Sequence, residues 1–217
     1  MPKLLLPPSS EGGLRGLQAR TVNMNFTKTN IPEVILIEPK VFGDDRGYFI
    51  ETFRNDLFQQ KTGIKTTFIQ DNESRSSHGV LRGLHYQLPP YAQSKLVRVI
   101  EGKVLDIAVD IRKGSPTFGQ HVTAELSAEN KHQLFIPRGF AHGFVVLSET
   151  AIFAYKVDNY YSPECDRGIQ FDDPQLNIDW KIDHNQLQLS EKDKTQPLLN
   201  DSNDLFDFSH NLYLDEM

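Results

Sequence analysis

The 217-residue sequence predicts an all-β domain, a sandwich or barrel with a few short helices. Three observations carry that reading. Short runs rich in β-branched and aromatic residues recur from Ile31 onward with turn signals between them. In "KVLDIAVDI" (103–111), Leu105, Ile107, Val109 and Ile111 occupy alternate positions, with Asp106 and Asp110 on the opposite face, the two-residue period of a half-buried strand. Helical periodicity is sparse, and many strands with few helices bury their apolar faces as a sandwich or barrel.

In chain order the expected strands begin with "IPEVILIEPKVF" (31–42), "RGYFIETF" (46–53) and "TTFIQDN" (66–72). "KLVRVIEG" (95–102) and "KVLDIAVDI" follow, joined by a tight hairpin at "EGK" (101–103). Then come "HVTAEL" (121–126), "QLFIPRG" (133–139), "GFVVLS" (143–148) and "AIFAYKV" (151–157), the last two joined through "SET" (148–150). "RNDLFQQKTG" predicts about two helical turns ending at Gly63, and a second short helical piece is expected after Asp173-Pro174. No repeat or long linker divides the chain, so one domain is expected over 25–217. Residues 1–24, rich in Gly, Pro and Ser, are expected to form a disordered extension.

Composition narrows the function. A net charge of -6 and a pI near 5.6 argue against general nucleic-acid affinity, which wants a basic surface. They do not oppose a local basic pocket for a small anion. The single cysteine, Cys165, excludes an intrachain disulfide and fits a reducing compartment. The leading three-leucine run is stopped by Pro7 and Pro8, too short for a secretory signal, and no stretch approaches membrane-spanning length. A cytoplasmic protein is expected.

Against that background, "RGLHYQ" (82–87) poses a problem: strands carry Arg82 and His85, and Lys95 follows close behind. Plain alternation puts His85 with Gly83 and Gln87, and Arg82 on the other face. Both could line one cavity if Gly83 marks a bulge that resets the alternation. Gln70 and Asn72 share a face; Tyr155 shares one with Ala151, Phe153 and Val157; His142 follows a Pro-Arg-Gly turn. Taken singly, a strand histidine is more often structural, a strand-end tyrosine a rim residue and a lysine after a loop solvated. A metal-holding barrel would want a His-x-His pair, but Gln87 stands where the second histidine would be, and an amide is a poor partner to imidazole for a transition metal.

Taken together, the motifs are more specific. "DDRGYFIETF", "QDNESRSSHGVLRGLHYQ", "QSKLVRVIEGKVLDIAVDIRKGSPTFG", "IPRGFAHGF", "YKVDNYYSPECDRGIQFDDP" and "LSEKD" occur in order over about residues 26–200. In these the chain resembles the dTDP-4-dehydrorhamnose 3,5-epimerase family, cupins of the RmlC type. The resemblance implies an antiparallel jelly-roll barrel acting as a homodimer without metal or cofactor on dTDP-4-dehydro-6-deoxy-D-glucose. It implies His85 as catalytic base, Asp193 as its carboxylate partner and Tyr155 as proton donor. Lys95 and Arg82 match cations near the keto oxygen and phosphates, and His142 a further pocket residue. Arg46, Glu51, Gln70, Asn72, Asp166 and Lys192 match positions that hold the nucleotide sugar, some across the dimer. The chain departs from the family pattern at Phe171, usually Trp, at Arg138, often acidic, and at Asp166, usually Glu.

The implied chemistry explains the residue types. C3 and C5 both flank the C4 ketone, so both carry acidified protons, and inversion takes a proton from one side of the ring and returns one to the other. A base and an acid on opposite walls suit this; imidazole titrates near neutrality. A ketone α-proton lies roughly a dozen pKa units above imidazolium, a gap on the order of 16 kcal/mol at about 1.36 kcal/mol per unit. A fixed donor at the C4 oxygen offsets about 3–4 kcal/mol of it, the part expected of Lys95, with Arg82 or His142 assisting. A cation of the Arg46 kind suits the diphosphate. Relatives that invert one carbon or move the keto group, a metal-dependent enzyme, and a non-catalytic sugar-binding module are the rival readings.

Overall fold

The computed structural model describes residues 24–214. Its strands are β1 (Met24–Lys28), β2 (Ile35–Pro39), β3 (Val41–Asp44), β4 (Gly47–Ile50), β5 (Gln70–Ser77), β6 (Leu81–Gln87), β7 (Lys95–Glu101) and β8 (Lys103–Asp110). The remainder are β9 (Arg112–Lys113), β10 (His121–Ser127), β11 (Gln133–Ile136), β12 (Phe140–Val146), β13 (Thr150–Val157), β14 (Asp166–Gly168) and β15 (Phe206–Asp207). A six-stranded sheet runs β1-β2-β11-β7-β13-β5 and a five-stranded sheet β10-β8-β12-β6-β14, each antiparallel throughout. The two sheets form the jelly-roll barrel.

The inward faces meet in one apolar cluster. Val97, Val99, Ala151 and Phe153 from the larger sheet pack with Val104, Ala108, Phe144 and Val146 from the smaller. Phe144 stacks on Phe153 with ring centroids 4.0 Å apart. Burying a large apolar side chain contributes about 1.5–3 kcal/mol, so this row is a principal tie between the sheets.

β8 corrects one expectation. Leu105, Ile107, Val109 and Ile111 do share a face, but it is the outer one, covered by Ile169, Leu176, Trp180, Leu199 and Phe206 from the chain's last part. The other face looks into the barrel, so Asp106 and Asp110 are both 0% exposed and the strand is buried on both sides. Alternation in the strand alone could not reveal the segment that wraps it.

The helix α1 spans Asn55–Thr62 and stops at Gly63, whose left-handed φ of 76° lets its N–H bond Gln59 O. Phe58 from this helix is buried edge-on against Phe135, 4.9 Å away. Among the described residues, no α-helix starts at Asp173-Pro174. The Asp173 side chain accepts from Gln175 N and Leu199 N, pinning a single turn to a distant segment, and Asn177 at φ 45° ends it. Short 3₁₀ turns occur instead at His184–Gln186, Asp193–Thr195 and Leu199–Asp201. The expected disordered extension lies outside the described residues except for Met24, which is the buried first residue of β1 and so belongs to the barrel.

Candidate active site

A cavity of about 570 Å³ opens between the two sheets. His85 reaches it from β6 and His142 from β12, both in the five-stranded sheet; Asn72, Lys95 and Tyr155 reach it from β5, β7 and β13 of the facing sheet. Lys192 and Asp193 close one side, from the loop and 3₁₀ turn after Ser190.

A β-bulge decides which side chains arrive. His142 pairs with His85, but Phe144 pairs with Arg82, so Gly83 and Leu84 together oppose the single residue Gly143. Gly83 has φ +137°, and a Cβ there would stand 2.5 Å from Gly143 Cα. Glycine is therefore required, and the extra residue turns Arg82 and His85 into the same cavity although they are an odd number apart. Leu84 goes to the outer core instead.

His85 Nε2 lies 2.5 Å from Asp193 Oδ1. Burial pushes the Asp193 carboxyl up, but its hydrogen bond to His85 and that ring's charge, with Ser190 Oγ, outweigh burial and hold it below the ordinary range. Asp193 N donates to Ser190 Oγ, 3.2 Å, fixing the turn that presents the carboxylate. A carboxylate on Nε2–H sets the imidazole's tautomer and leaves the lone pair on Nδ1 for a substrate proton.

Burial raises the Tyr155 hydroxyl above its ordinary value, against the pull of Arg82, so the phenol carries its proton at neutral pH. Lys95 retains some contact with the open cavity, yet burial pushes its ammonium down to about 8; the charges of Asp166 and Asp106 oppose that and Lys192 adds to it. Arg82 is braced by Ser76 Oγ, 3.3 Å from Nε and 3.2 Å from Nη2.

A second imidazole–carboxylate pair lies deeper. His142 Nε2 is 2.9 Å from Asp106 Oδ2, with both side chains buried. Burial drives His142 down and Asp106 up, and their mutual attraction offsets this only in part. Asp106, like Ser76 and Ser190, was not among the expected site residues. Its strand pattern assigned it to solvent, and only the register of β8 against β12 brings it beside His142.

The remaining expected residues divide. Asn72 lines the cavity and accepts from Gln70 Nε2 at 2.9 Å, so Gln70 stands one shell behind it. Asp166 pairs with Lys192 and accepts from the Tyr161 hydroxyl at 3.1 Å. Arg46 does not reach the cavity: it sits in the exposed turn between β3 and β4, paired with Asp44. Glu51 does not line it either, and its Oε1 is buried with no hydrogen-bond partner among the described residues. Gln87 faces away to hold loops, donating to Tyr91 O and Tyr160 O and accepting from Ser162 N.

A jelly-roll barrel whose cavity holds a carboxylate-bound imidazole, an ammonium and a phenol on facing walls is the framework of an acid–base enzyme. The model of the dTDP-4-dehydrorhamnose 3,5-epimerase family matches residues 28–201, and the chain belongs to that family. It is 59% identical over 170 residues to the dTDP-4-dehydrorhamnose 3,5-epimerase of Shigella flexneri, covering 78% of this chain and 93% of that one. A crystal structure of the 3,5-epimerase RmlC from Legionella pneumophila, in complex with dTDP-4-keto-L-rhamnose, superposes with a TM-score of 0.83 at 53% identity, covering 87% of this chain and all of that one. A 3'-monoepimerase from Streptomyces bikiniensis in complex with dTDP-quinovose shares the fold at 32% identity with a TM-score of 0.75, covering 79% of this chain and 86% of that one.

Proposed function

We propose that this isomerase is a dTDP-4-dehydrorhamnose 3,5-epimerase, inverting C3 and C5 of dTDP-4-dehydro-6-deoxy-D-glucose to give dTDP-4-dehydro-β-L-rhamnose. The observation that carries the reading is the placement of His85 and Tyr155 on facing sheets of one cavity. His85 Nδ1 removes the proton α to the C4 ketone, and Asp193 stabilises the imidazolium that forms. Lys95 meets the negative charge as it appears on the C4 oxygen. Tyr155 returns a proton from the opposite face, and the sequence repeats at the second carbon. His142, held by Asp106, and Arg82, held by Ser76, border the same sugar. Asn72, Gln70, Asp166 and Lys192 hold the nucleotide end.

Arg46 and Glu51 come to the site from a second copy of the chain. In support, the β3–β4 hairpin that carries Arg46 exposes Tyr48 and Phe49, each 59% accessible, an apolar tip suited to a partner surface. No helix among the described residues is long and apolar enough to cross a membrane. A nucleotide-sugar substrate and a free Cys165 support a cytoplasmic location.

Incubation with the 4-keto-6-deoxy nucleotide sugar in heavy water, read by NMR, tests the proposal. Two solvent deuterons per product, at C3 and C5, are expected. A single deuteron with one inverted centre would instead mark a monoepimerase, the reaction of the Streptomyces bikiniensis relative.

A further inference from the structure

We propose that Tyr213, on the C-terminal strap, is a positioning residue for Lys95. The strap lies beyond the family match, which ends at residue 201. The proposal rests on the reading of Lys95 as the group that meets the C4 oxygen.

Three strand ends meet at this place: β7 begins, and β11 and β13 finish. Lys95 opens β7 and is paired on one side with Ile136 of β11 and on the other with Val157 of β13, the strand of Tyr155. The residues just past that row form a buried polar hub. Asp158 Oδ1 accepts from Ser94 N at 2.6 Å, while its Oδ2 accepts from Thr66 Oγ1 at 2.8 Å and Arg138 Nε at 3.2 Å. Ser94 is fully buried, and Arg138 and Asp158 nearly so.

The strap completes that hub. The Tyr213 hydroxyl accepts from Arg138 N at 3.2 Å and is joined to Ser94 Oγ at 2.7 Å. Arg138 Nη1 donates to Leu212 O at 2.9 Å, and its guanidinium lies 5.2 Å from the Tyr213 ring centroid. The strap is anchored along its length: the Tyr86 hydroxyl donates to Asp204 O, Phe206 is buried in the outer core, and Phe208 N donates to Lys113 O. Ser94 precedes Lys95 by one residue, so the hub fixes both backbone and side chain where the ammonium begins its reach. A displacement of about 1 Å at a reacting group can cost on the order of 100-fold in rate, so a modest loosening is readable.

The ammonium donates to His85 O at 3.5 Å; its charged and titratable surroundings are Asp106 from β8, Asp166 from β14, Lys192, the imidazoles of His85 and His142, and, in the same cavity, Glu73 from β5, Arg82 from β6, Tyr155 from β13 and Asp193. Loosening the hub admits water to Lys95 without altering those neighbours. Tyr213→Phe keeps the ring and removes only the hydroxyl. The expected result is a kcat lower by about ten-fold with KM within about two-fold. The alkaline limb of kcat/KM should also move up toward the ordinary lysine range. Ser94→Ala, which removes the other partner, should reproduce both changes. Wild-type kcat and an unmoved limb in folded Tyr213→Phe, whatever its melting temperature, would overturn the proposal. Wild-type turnover in Lys95→Met would instead overturn the reading of Lys95.

Discussion

Asp193 holds His85 at 2.5 Å from a position 108 residues later in the chain. The carboxylate comes from a 3₁₀ turn fixed by Ser190, and the imidazole from a bulged strand, so two unrelated local structures must agree for the pair to form. Asp193→Asn keeps the shape but removes the charge that sets the tautomer. A fall in kcat of about 10³-fold is expected, with nucleotide binding within about three-fold by calorimetry.

Tyr155 stands on the opposite sheet from His85. Tyr155→Phe should therefore leave proton removal intact and impair delivery to the far face. The expected signature is solvent deuterium entering the substrate at C3 or C5 with the original configuration retained, followed by NMR.

Lys95 must be charged to meet an enolate oxygen. Burial lowers its pKa to about 8, so the active ammonium is present below that value and lost as pH rises through it. The kcat/KM profile should bend down on the alkaline side near pH 8. Lys95→Met should abolish that limb and lower kcat/KM about 100- to 1000-fold.

Gly83 permits the bulge, because any side chain there would collide with the Gly143 backbone at a φ that L residues avoid. Gly83→Ala should cost about 3 kcal/mol of stability by urea titration, and its residual folded fraction should lose turnover as Arg82 and His85 part.

The β3–β4 hairpin should join two copies. Sedimentation is expected to give a dimer, and Phe49→Ser with Tyr48→Ser, both at 59% exposed positions, should shift it toward monomer. Arg46→Ala should raise KM for the nucleotide sugar more than it changes kcat.

Much of this was legible in the residues. Alternation places most of the long strands, but β5 runs over Gln70–Ser77 rather than 66–72, and β1 and β14 lie outside the expected runs; Gly63 ends the helix, and Gly83 marks the bulge that puts Arg82 and His85 together. The sequence motifs brought Asp193 and Tyr155 to the same site as His85, which no local period could do. Asp106 escaped notice because a strand's period assigns two faces but not what covers them; the segment around Trp180 takes the outer face and leaves Asp106 facing inward. Asp173-Pro174 carries a helix-start signal, but the tie of Asp173 to Leu199 is non-local and holds the segment as a turn. Arg138 stood out as a departure, but its partners in Asp158 and the strap appear only once three strand ends converge.

One imidazole, that of His85, starts the reaction at both carbons. Exchange by His85→Asn in heavy water tests it most directly, with nucleotide binding measured alongside. No deuterium is expected at either C3 or C5 while binding stays near wild type; exchange at the wild-type rate at either carbon would show that His85 is not the base.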